Sequence, residues 1–539
     1  MTELLTSAQM RAIERAAIES GAVTGLTLME RAGAGVVAAI LAEWPALTEG
    51  THRAVVLCGP GHNGADGFVV ARLLHQRGWE VHVLLYGEPD RLPPDALTNY
   101  LRWQAMGRVD LYDPEGLDSA WVERAIFALD TTVPMSAKNF GEVVVVDALF
   151  GIGLTRPLGD AGGLLSEVRE DDLYDLRCRL VAIDIPSGLC ADSGRLIRDD
   201  GPTYHARAAD LTVTFHRRKL GHVLQDGPRY CGRLQVVDIG LPDTGDGVRE
   251  VKPWPQGLDK SSQRNWWGRT GGEHKFTHGH ALILSGPRGR GGAARLAARG
   301  ALRIGAGLVT LGAPPDAMAE HAAQLNAIML REIAGPEALT DALADKRINA
   351  LCLGPGLGVD RAAALLPVAR QAPAVVLDAD ALTALAAMDN WPALLSPRCI
   401  LTPHAGEFAR LFPDLAAKLA EPAITGPAYS KLDATREAAA RAGCVVLFKG
   451  ADTVIAGPHG QEAINAATYD RAAPWLATAG SGDVLAGFIT GLLARGFQPF
   501  EAACTAAWLH VDCALSFGPG LIAEDLPEAL PRVFRALGL

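Results

Sequence analysis

Thr478-Ala479-Gly480-Ser481-Gly482-Asp483-Val484-Leu485-Ala486-Gly487 has the composition of a Gly-rich turn opening an apolar helix. Backbone N–H groups at such a turn point outward and the helix dipole adds positive potential, so the turn stabilises an anion, most often phosphate. Asp483 is out of place there, because a carboxylate beside bound phosphate costs Coulomb energy. Either it has a chemical task, such as accepting a proton from a substrate hydroxyl, or it caps the helix. Both readings stand on these residues alone.

A second such group is Gly59-Pro60-Gly61-His62-Asn63-Gly64-Ala65-Asp66-Gly67. It follows an apolar run at 53–58 that reads as a buried strand, and it precedes a helical pattern at 68–77. Strand, Gly-rich loop and helix open a nucleotide-binding βαβ unit. The loop is neither G-x-G-x-x-G in register nor a P-loop, since it carries no Gly-Lys-Ser/Thr. Asn63 and Asp66 offer an amide oxygen and a carboxylate, which suit a hard cation or a ribose hydroxyl better than a bare pyrophosphate. Equally, they are turn residues that tolerate left-handed φ.

The elements that must position these groups follow from the hydrophobic pattern. Residues 7–43 read as two helices, the first capped by Ser7, with Met10, Ile13 and Ala17 on one face. Strands are expected at 80–86, 142–147, 180–184, 211–215 and 234–238. Alternation of strands with helices predicts an α/β fold with a doubly wound parallel sheet. Ligands bind such sheets beyond the carboxyl ends of the strands, and Asn63, Asp147 and Asp184 all stand at such ends.

Taken in order, His62-Asn63-Gly64-Ala65-Asp66-Gly67, Val146-Asp147-Ala148-Leu149-Phe150-Gly151-Ile152-Gly153-Leu154 and Ile183-Asp184-Ile185-Pro186-Ser187-Gly188 resemble the NAD(P)H-hydrate epimerase domain, the YjeF N-terminal domain. The resemblance spans residues 1–245 and implies a Rossmann-like sheet. It implies that Asn63, Asp147 and Ser187 coordinate K+. It also implies that His62, Asn63, Gly64, Ala65, Asp66, Asp184 and the loop Gly151, Ile152, Gly153, Leu154, Thr155, Arg156, Pro157 hold the hydrated dinucleotide. Asp184 then moves the proton that epimerisation requires. His62 stands where the family has Asn, and Ala65 where it has Gly. Lys219 matches a basic position of the family without its usual Pro neighbour.

Residues 242–255 are linker-like, and the paired Trp266 and Trp267 beyond them suit a domain seam better than a ligand platform. A second α/β pattern follows: strands at 280–284, 307–311, 350–353, 375–377, 400–402 and 445–448, each ending in a loop rich in Gly or polar residues. Gly354-Pro355-Gly356-Leu357-Gly358, Thr402-Pro403-His404-Ala405-Gly406-Glu407, Phe448-Lys449-Gly450 and Gly480-Ser481-Gly482-Asp483 together resemble the ADP/ATP-dependent NAD(P)H-hydrate dehydratases, which are ribokinase-like. The resemblance covers 255–539 and implies a layered α/β/α domain. It implies that Lys449, Gly450, Ala451, Asp452, Thr453 and Gly482 bind the adenine nucleotide, and that Ala293, Gly356, His404 and Asp483 face the hydrate. Asp483 becomes the base of phosphoryl transfer, with ADP as donor (ATP being possible) and Mg2+ as companion. Asp378 and Asp380 read as helix caps that could also help hold Mg2+.

The chain has 539 residues, too many for one core. A net charge of −11 and 6% aromatics argue against nucleic-acid and anionic-membrane partners. Nine scattered cysteines without a C-x-x-C pair predict reduced thiols and no zinc site. No signal peptide or membrane span is expected, and a cytoplasmic homo-oligomer acting on NADHX and NADPHX is. The alternatives are a ribokinase-like kinase for a vitamin or sugar alcohol with an accessory N-terminal domain, and a silent nucleotide-binding scaffold. A Rossmann dehydrogenase is disfavoured, since no strand ends in a complete G-x-G-x-x-G with an acid about 20 residues on.

Overall fold

The computed structural model describes residues 3–112, 142–166, 178–198, 208–254 and 274–539; Trp266 and Trp267 lie outside the described residues. The chain forms two compact units, Glu3–Val248 with Pro422–Ser430, and Arg249–Glu421 with Lys431–Leu539.

The first unit is built on β1 (Arg53–Cys58), β2 (Glu80–Leu85), β3 (Val109–Leu111), β4 (Val143–Ala148), β5 (Cys178–Ile183), β6 (Leu211–Phe215) and β7 (Arg233–Val237). The sheet runs β3-β2-β1-β4-β5-β6-β7, with all neighbours parallel. Parallel strands are covered on both faces and so are apolar throughout: Val143, Val144, Val145 and Val146 are all buried. Each contributes about 1.5–3 kcal/mol over an exposed valine. The chain winds outward from β1 to β3, then returns to lay β4 on the other side of β1, with Leu57 opposite Asp147. This reversal leaves a crevice at the carboxyl ends of β1 and β4.

Two local expectations are corrected. The first helix, Ser7–Glu19, is capped by Thr6, not Ser7, because Gln9 completes a capping box with Thr6. Ser7 instead gives its N–H and hydroxyl to the Asp192 carboxylate at 2.6 and 2.9 Å. The helix after β1 is His62–Gln76, so the polar residues of the Gly-rich stretch occupy its first turns rather than a loop. Helix Gly25–Glu43 is long and apolar enough by length and composition to cross a membrane; here Leu28, Met29, Val36, Val37 and Ile40 pack into the core of the first unit.

The second unit has β8 (His280–Leu284), β9 (Leu308–Ala313), β10 (Met329–Glu332), β11 (Ile348–Leu353), β12 (Val375–Leu377), β13 (Cys399–Leu401), β14 (Val445–Phe448), β15 (Asp452–Ala456) and β16 (Glu462–Ala466). From β16 to β10 the order is β16-β15-β14-β13-β12-β11-β8-β9-β10. Only the β14–β15 and β15–β16 pairs in this run are antiparallel. The winding direction reverses between β8 and β11, and there helices Gly292–Arg303 and Ser481–Ala494 lie against each other. Glycine makes that approach possible: a methyl group on Gly487 would lie 2.1 Å from Ala297 O, and one on Gly491 would lie 2.7 Å from Ala301 O. The matching advance of four residues on each helix means they run parallel. One turn back in the same register stand Ala293 and Asp483.

Candidate active sites

At the first crevice the loops after β1 and β4 touch with no room for side chains. A methyl group on Gly59 would lie 1.7 Å from Leu149 O, and one on Gly64 would lie 1.9 Å from Gly59 O. Asp147, buried at the end of β4, takes the Ser187 hydroxyl at 2.6 Å and the Leu149 N–H at 3.2 Å on Oδ1, and the Ser187 N–H at 2.8 Å on Oδ2. Burial raises its carboxyl above the ordinary range, partly offset by these bonds. Asn63 and Asp184 both stand beside Gly151: a methyl group on Gly151 would lie 2.9 Å from Asn63 Oδ1 and 3.4 Å from Asp184 Oδ2.

Asp184 follows β5 with φ of 65°. Its Oδ1 receives the Thr214 hydroxyl and the Lys219 ammonium, both at 2.8 Å. Lys219 is fully buried, and its remaining N–H groups reach Thr214 Oγ1 at 2.8 Å and Phe215 O at 3.1 Å. His222 is fixed as one tautomer: Nδ1 accepts the Lys219 N–H at 2.9 Å, so Nε2 donates to Asp184 O at 2.8 Å. Burial, then the nearby Lys219 charge, depress this imidazole to about 4, so it is neutral. Burial alone would raise Asp184, but Lys219 and its hydrogen bonds outweigh it, and the carboxyl ends below its ordinary value. Asp184 therefore stays ionised. Glu14 behaves oppositely: burial and the Asp184 charge push it up to about 7. Asp66 also rises, by burial and then by Asp184 and Glu14.

Glu14 was not among the residues expected here. Helical spacing shows only that it adjoins the face of Ile13 and Ala17, and its partners come from distant segments. The Ala65 side chain is fully buried. His62, Gly153, Thr155 and Arg156 are exposed, while Ile152, Leu154 and Pro157 are half-buried.

In the second unit, Gly480 has φ of 90° and starts helix Ser481–Ala494 with no side-chain cap. Asp483 is thus in the first turn without being the cap. Burial first, then the Asp378 charge, raise it to about 7, against the lowering effect of Lys449. Lys449 Nζ gives a hydrogen bond to Asp378 Oδ1 at 2.8 Å and lies 3.7 Å from Glu407 Oε2. A methyl group on Gly482 would lie 3.5 Å from that ammonium. Burial opposes the Lys449 charge, but Asp378 and Glu407 raise its pKa overall.

Asp378 stands at the N-cap position of helix Ala379–Ala386 but makes no side-chain capping bond, and Asp380 lies in its first turn. Asp378 accepts from Thr402 Oγ1 at 2.7 Å and from Lys449, and Asp380 accepts the Gly358 N–H at 2.8 Å, closing the Gly-rich loop after β11. Gly356 in that loop has φ of 61°, and a methyl group there would lie 3.3 Å from Ala293 Cβ. Ala293, Gly356 and the Asp483 turn therefore meet. His404 caps helix Ala405–Leu411: its Nδ1 accepts from Gly406 N at 3.0 Å and Glu407 N at 3.3 Å. The ring consequently carries a proton on Nε2, which lies 3.4 Å from Glu407 Oε1, and its side chain is 57% exposed.

A cavity of about 460 Å³ opens beside this turn. Lys449, Gly450, Ala451, Thr453 and Gly482 are in its wall, together with Leu485, Ala507 and His510. Asp452 is not in the wall. Burial pushes His510 down to about 4, and its neutral ring donates from Nε2 to Ser481 O at 2.9 Å, steadying the turn.

Comparison with known proteins agrees with both halves. The family model for YjeF-related protein N-termini matches residues 25–221, and the model for NAD(P)H-hydrate dehydratase matches residues 281–530. A bifunctional NAD(P)H-hydrate repair enzyme of Moorella thermoacetica is 37% identical over 558 residues, 99% of this chain and 97% of the relative. An NAD(P)H-hydrate epimerase of Roseobacter litoralis is 45% identical over 251 residues, 45% of this chain and 100% of its own length. Among solved structures, an ADP/ATP-dependent NAD(P)H-hydrate dehydratase of Bacillus subtilis co-crystallised with ATP and Mg2+ matches 52% of this chain and 97% of its own, at 29% identity and a TM-score of 0.43.

Proposed function

Because the chain belongs to the bifunctional NAD(P)H-hydrate repair enzymes, we propose a division of that repair between its two sites. The first half epimerises the R and S hydrates of NADH and NADPH, and the second dehydrates the S form to NAD(P)H. The observation that carries the residue assignment is the convergence, in the second unit, of a carboxylate raised to about 7, a lysine and an uncapped helix start beside a cavity.

In the dehydratase half the adenine nucleotide occupies the 460 Å³ cavity, with its phosphates toward Lys449 and Gly482. The hydrate lies over Ala293, Gly356 and the His404 Nε2–H. Asp483 takes the proton of the hydrate hydroxyl as that oxygen bonds to the terminal phosphorus and the bond to the nucleotide breaks. The amides at the start of helix Ser481–Ala494 and the Lys449 ammonium stabilise the charge on the transferring group. The phosphate then leaves with the C–O bond, a proton is lost from the adjacent ring carbon, and the nicotinamide double bond returns. By resemblance the donor is ADP, converted to AMP, with ATP as the alternative. Asp378 and Asp380 are already engaged, so Mg2+ would be held mainly by the nucleotide's phosphates.

In the epimerase half, Asp184 remains ionised and accepts the proton that frees the hydroxyl for ring opening, while Glu14 can hold a proton at neutral pH and return it. Asn63, Asp147 and Ser187 offer only oxygen donors to a cation, and Asp147 is a buried carboxylate that accepts from the Leu149 and Ser187 amides and the Ser187 hydroxyl. That set fits K+, which would supply positive charge beside the crevice. Nine free cysteines, eight of them buried, support a reducing, cytoplasmic setting.

The test is the return of reduced-nicotinamide absorbance from an R/S NADHX mixture given the full chain, Mg2+, K+ and ADP, then ATP. Complete recovery is expected. Recovery that stops at the S fraction would remove the epimerase assignment, and a stable phosphorylated product would replace the dehydratase by a kinase.

A further inference from the structure

Lys431 begins helix Lys431–Ala442 and is 6% exposed. Its ammonium donates to Asp452 Oδ1 at 2.6 Å, Asp452 O at 3.0 Å and Lys449 O at 3.2 Å. It also lies 4.5 Å from the centre of the Phe448 ring, which is stacked on Phe408 at 4.2 Å and 6°. The aromatic pair and the acceptors hold the ammonium at one point beneath the 449–453 turn.

The acceptors lie at the two ends of that turn. One buried cation thus draws the carbonyls of Lys449 and Asp452 toward itself. Neither Lys431 nor Asp452 is in the cavity wall, whereas Lys449, Gly450, Ala451 and Thr453 are. The turn is narrow where it crosses the ammonium: a methyl group on Gly450 would lie 2.6 Å from Lys431 Nζ. Thr453 completes the clamp, its hydroxyl donating to Gly450 O at 2.7 Å and accepting the Gly450 N–H at 3.2 Å.

We propose that Lys431 is a positioning residue for the nucleotide. It withdraws electron-rich carbonyl oxygens from the side of the turn that meets the phosphates, leaving Lys449 and the small Gly450-Ala451 backbone to face them. This rests on the nucleotide assignment of the cavity. A phosphate and a carbonyl oxygen repel each other, so a turn free to rotate its peptides loses affinity without losing any chemical group.

The experiment compares K431M, K431R and G482V in the full chain, with KM for ADP and kcat for dehydration of S-NADHX as readouts. For K431M, KM rises about tenfold, the loss of one charge-assisted hydrogen-bond set, while kcat at saturating ADP stays within about twofold. K431R keeps the charge but not the point geometry, so it gives a smaller rise in the same direction. G482V places its side chain into the cavity and raises KM if the nucleotide binds there. A KM unchanged in G482V removes the nucleotide assignment itself. A rise in G482V with KM unchanged in K431M and K431R overturns the role of Lys431 alone. A fall in kcat at constant KM in the lysine variants also overturns it, since that is the mark of structural damage. If K431M does not fold, K431R decides by the same criteria.

Discussion

Replacing Asp483 by asparagine removes a proton acceptor and a buried charge at once, and the two effects have opposite signs. In the folded protein the carboxyl is raised from 3.8 to about 7, by burial first and then by Asp378. A carboxyl raised in this way penalises folding when ionised. The penalty is absent below about pH 4, grows as pH rises toward 7 and is complete above that. A shift of this size corresponds to a ceiling of about 4 kcal/mol, and partial exposure of the side chain reduces it to about 2 kcal/mol. For a unit of this size that is a rise of about 4 °C in melting temperature. Without nucleotide, Asp483→Asn should therefore melt higher than wild type at about pH 8 and equally at about pH 4. At the same time it should restore no reduced nicotinamide from S-NADHX at any pH, while still exchanging the R and S forms. Differential scanning calorimetry against pH, read beside the absorbance assay, measures both. Equal melting gains at both pH values would show that the carboxyl is not raised by its surroundings. Retained turnover would show that it is not the base.

Asp378→Asn removes the charge that, after burial, contributes most to raising Asp483. The acid limb of kcat for dehydration should move down by about one pH unit, and an unmoved limb refutes the coupling. Lys219→Met strands the ionised Asp184 in a buried site. It should cost about 3–5 kcal/mol and lower only the first unit's melting transition, with epimerisation lost and dehydration kept. Adding Asp184→Asn should restore much of the stability but not the activity, and a failure of that rescue would mean the pair is not what holds the two residues.

The strands were legible because a parallel sheet covered on both faces demands continuous apolar runs. The run 142–147 became β4, Val143–Ala148, displaced by one residue. The edge strand Met329–Glu332 and the interior strand Glu462–Ala466 are too short, with polar residues among the apolar ones, to stand out. Helix His62–Gln76 was misplaced at its start because Gly64 and Gly67 resemble a loop until their packing is known. Gly64 is there because Gly59 O comes so close, and Gly67 because a methyl group would meet Ala148 Cβ at 2.7 Å. At the sites, motif residues were legible as types, and their tasks were not. His404 spends one ring nitrogen as a helix cap, Asp380 closes a loop, and Asp452 faces Lys431 rather than the cavity. Each depends on a partner that sequence spacing does not bring near.

The two units share an electrostatic arrangement that neither motif set displays. In each, a buried aspartate at the carboxyl edge of a sheet is paired with a lysine at 2.8 Å and a threonine hydroxyl at 2.7 or 2.8 Å: Asp184 with Lys219 and Thr214, and Asp378 with Lys449 and Thr402. In each, a second carboxylate on a neighbouring helix is raised to about 7 by burial and then by that aspartate: Glu14 in the first unit, Asp483 in the second. A fixed anion beside a lysine costs little to maintain, and its field keeps the neighbouring acid near the pH at which it can both take and return a proton. The difference lies in what surrounds the pair. Lys219 is fully buried and its ammonium makes three short bonds inside the protein, so it can only hold Asp184 in place. The Lys449 side chain is 19% exposed and lies in the cavity wall, within reach of a phosphate there. On the proposed assignments, one arrangement of charges serves proton exchange in the first half and, with its lysine in the cavity wall, phosphoryl transfer in the second.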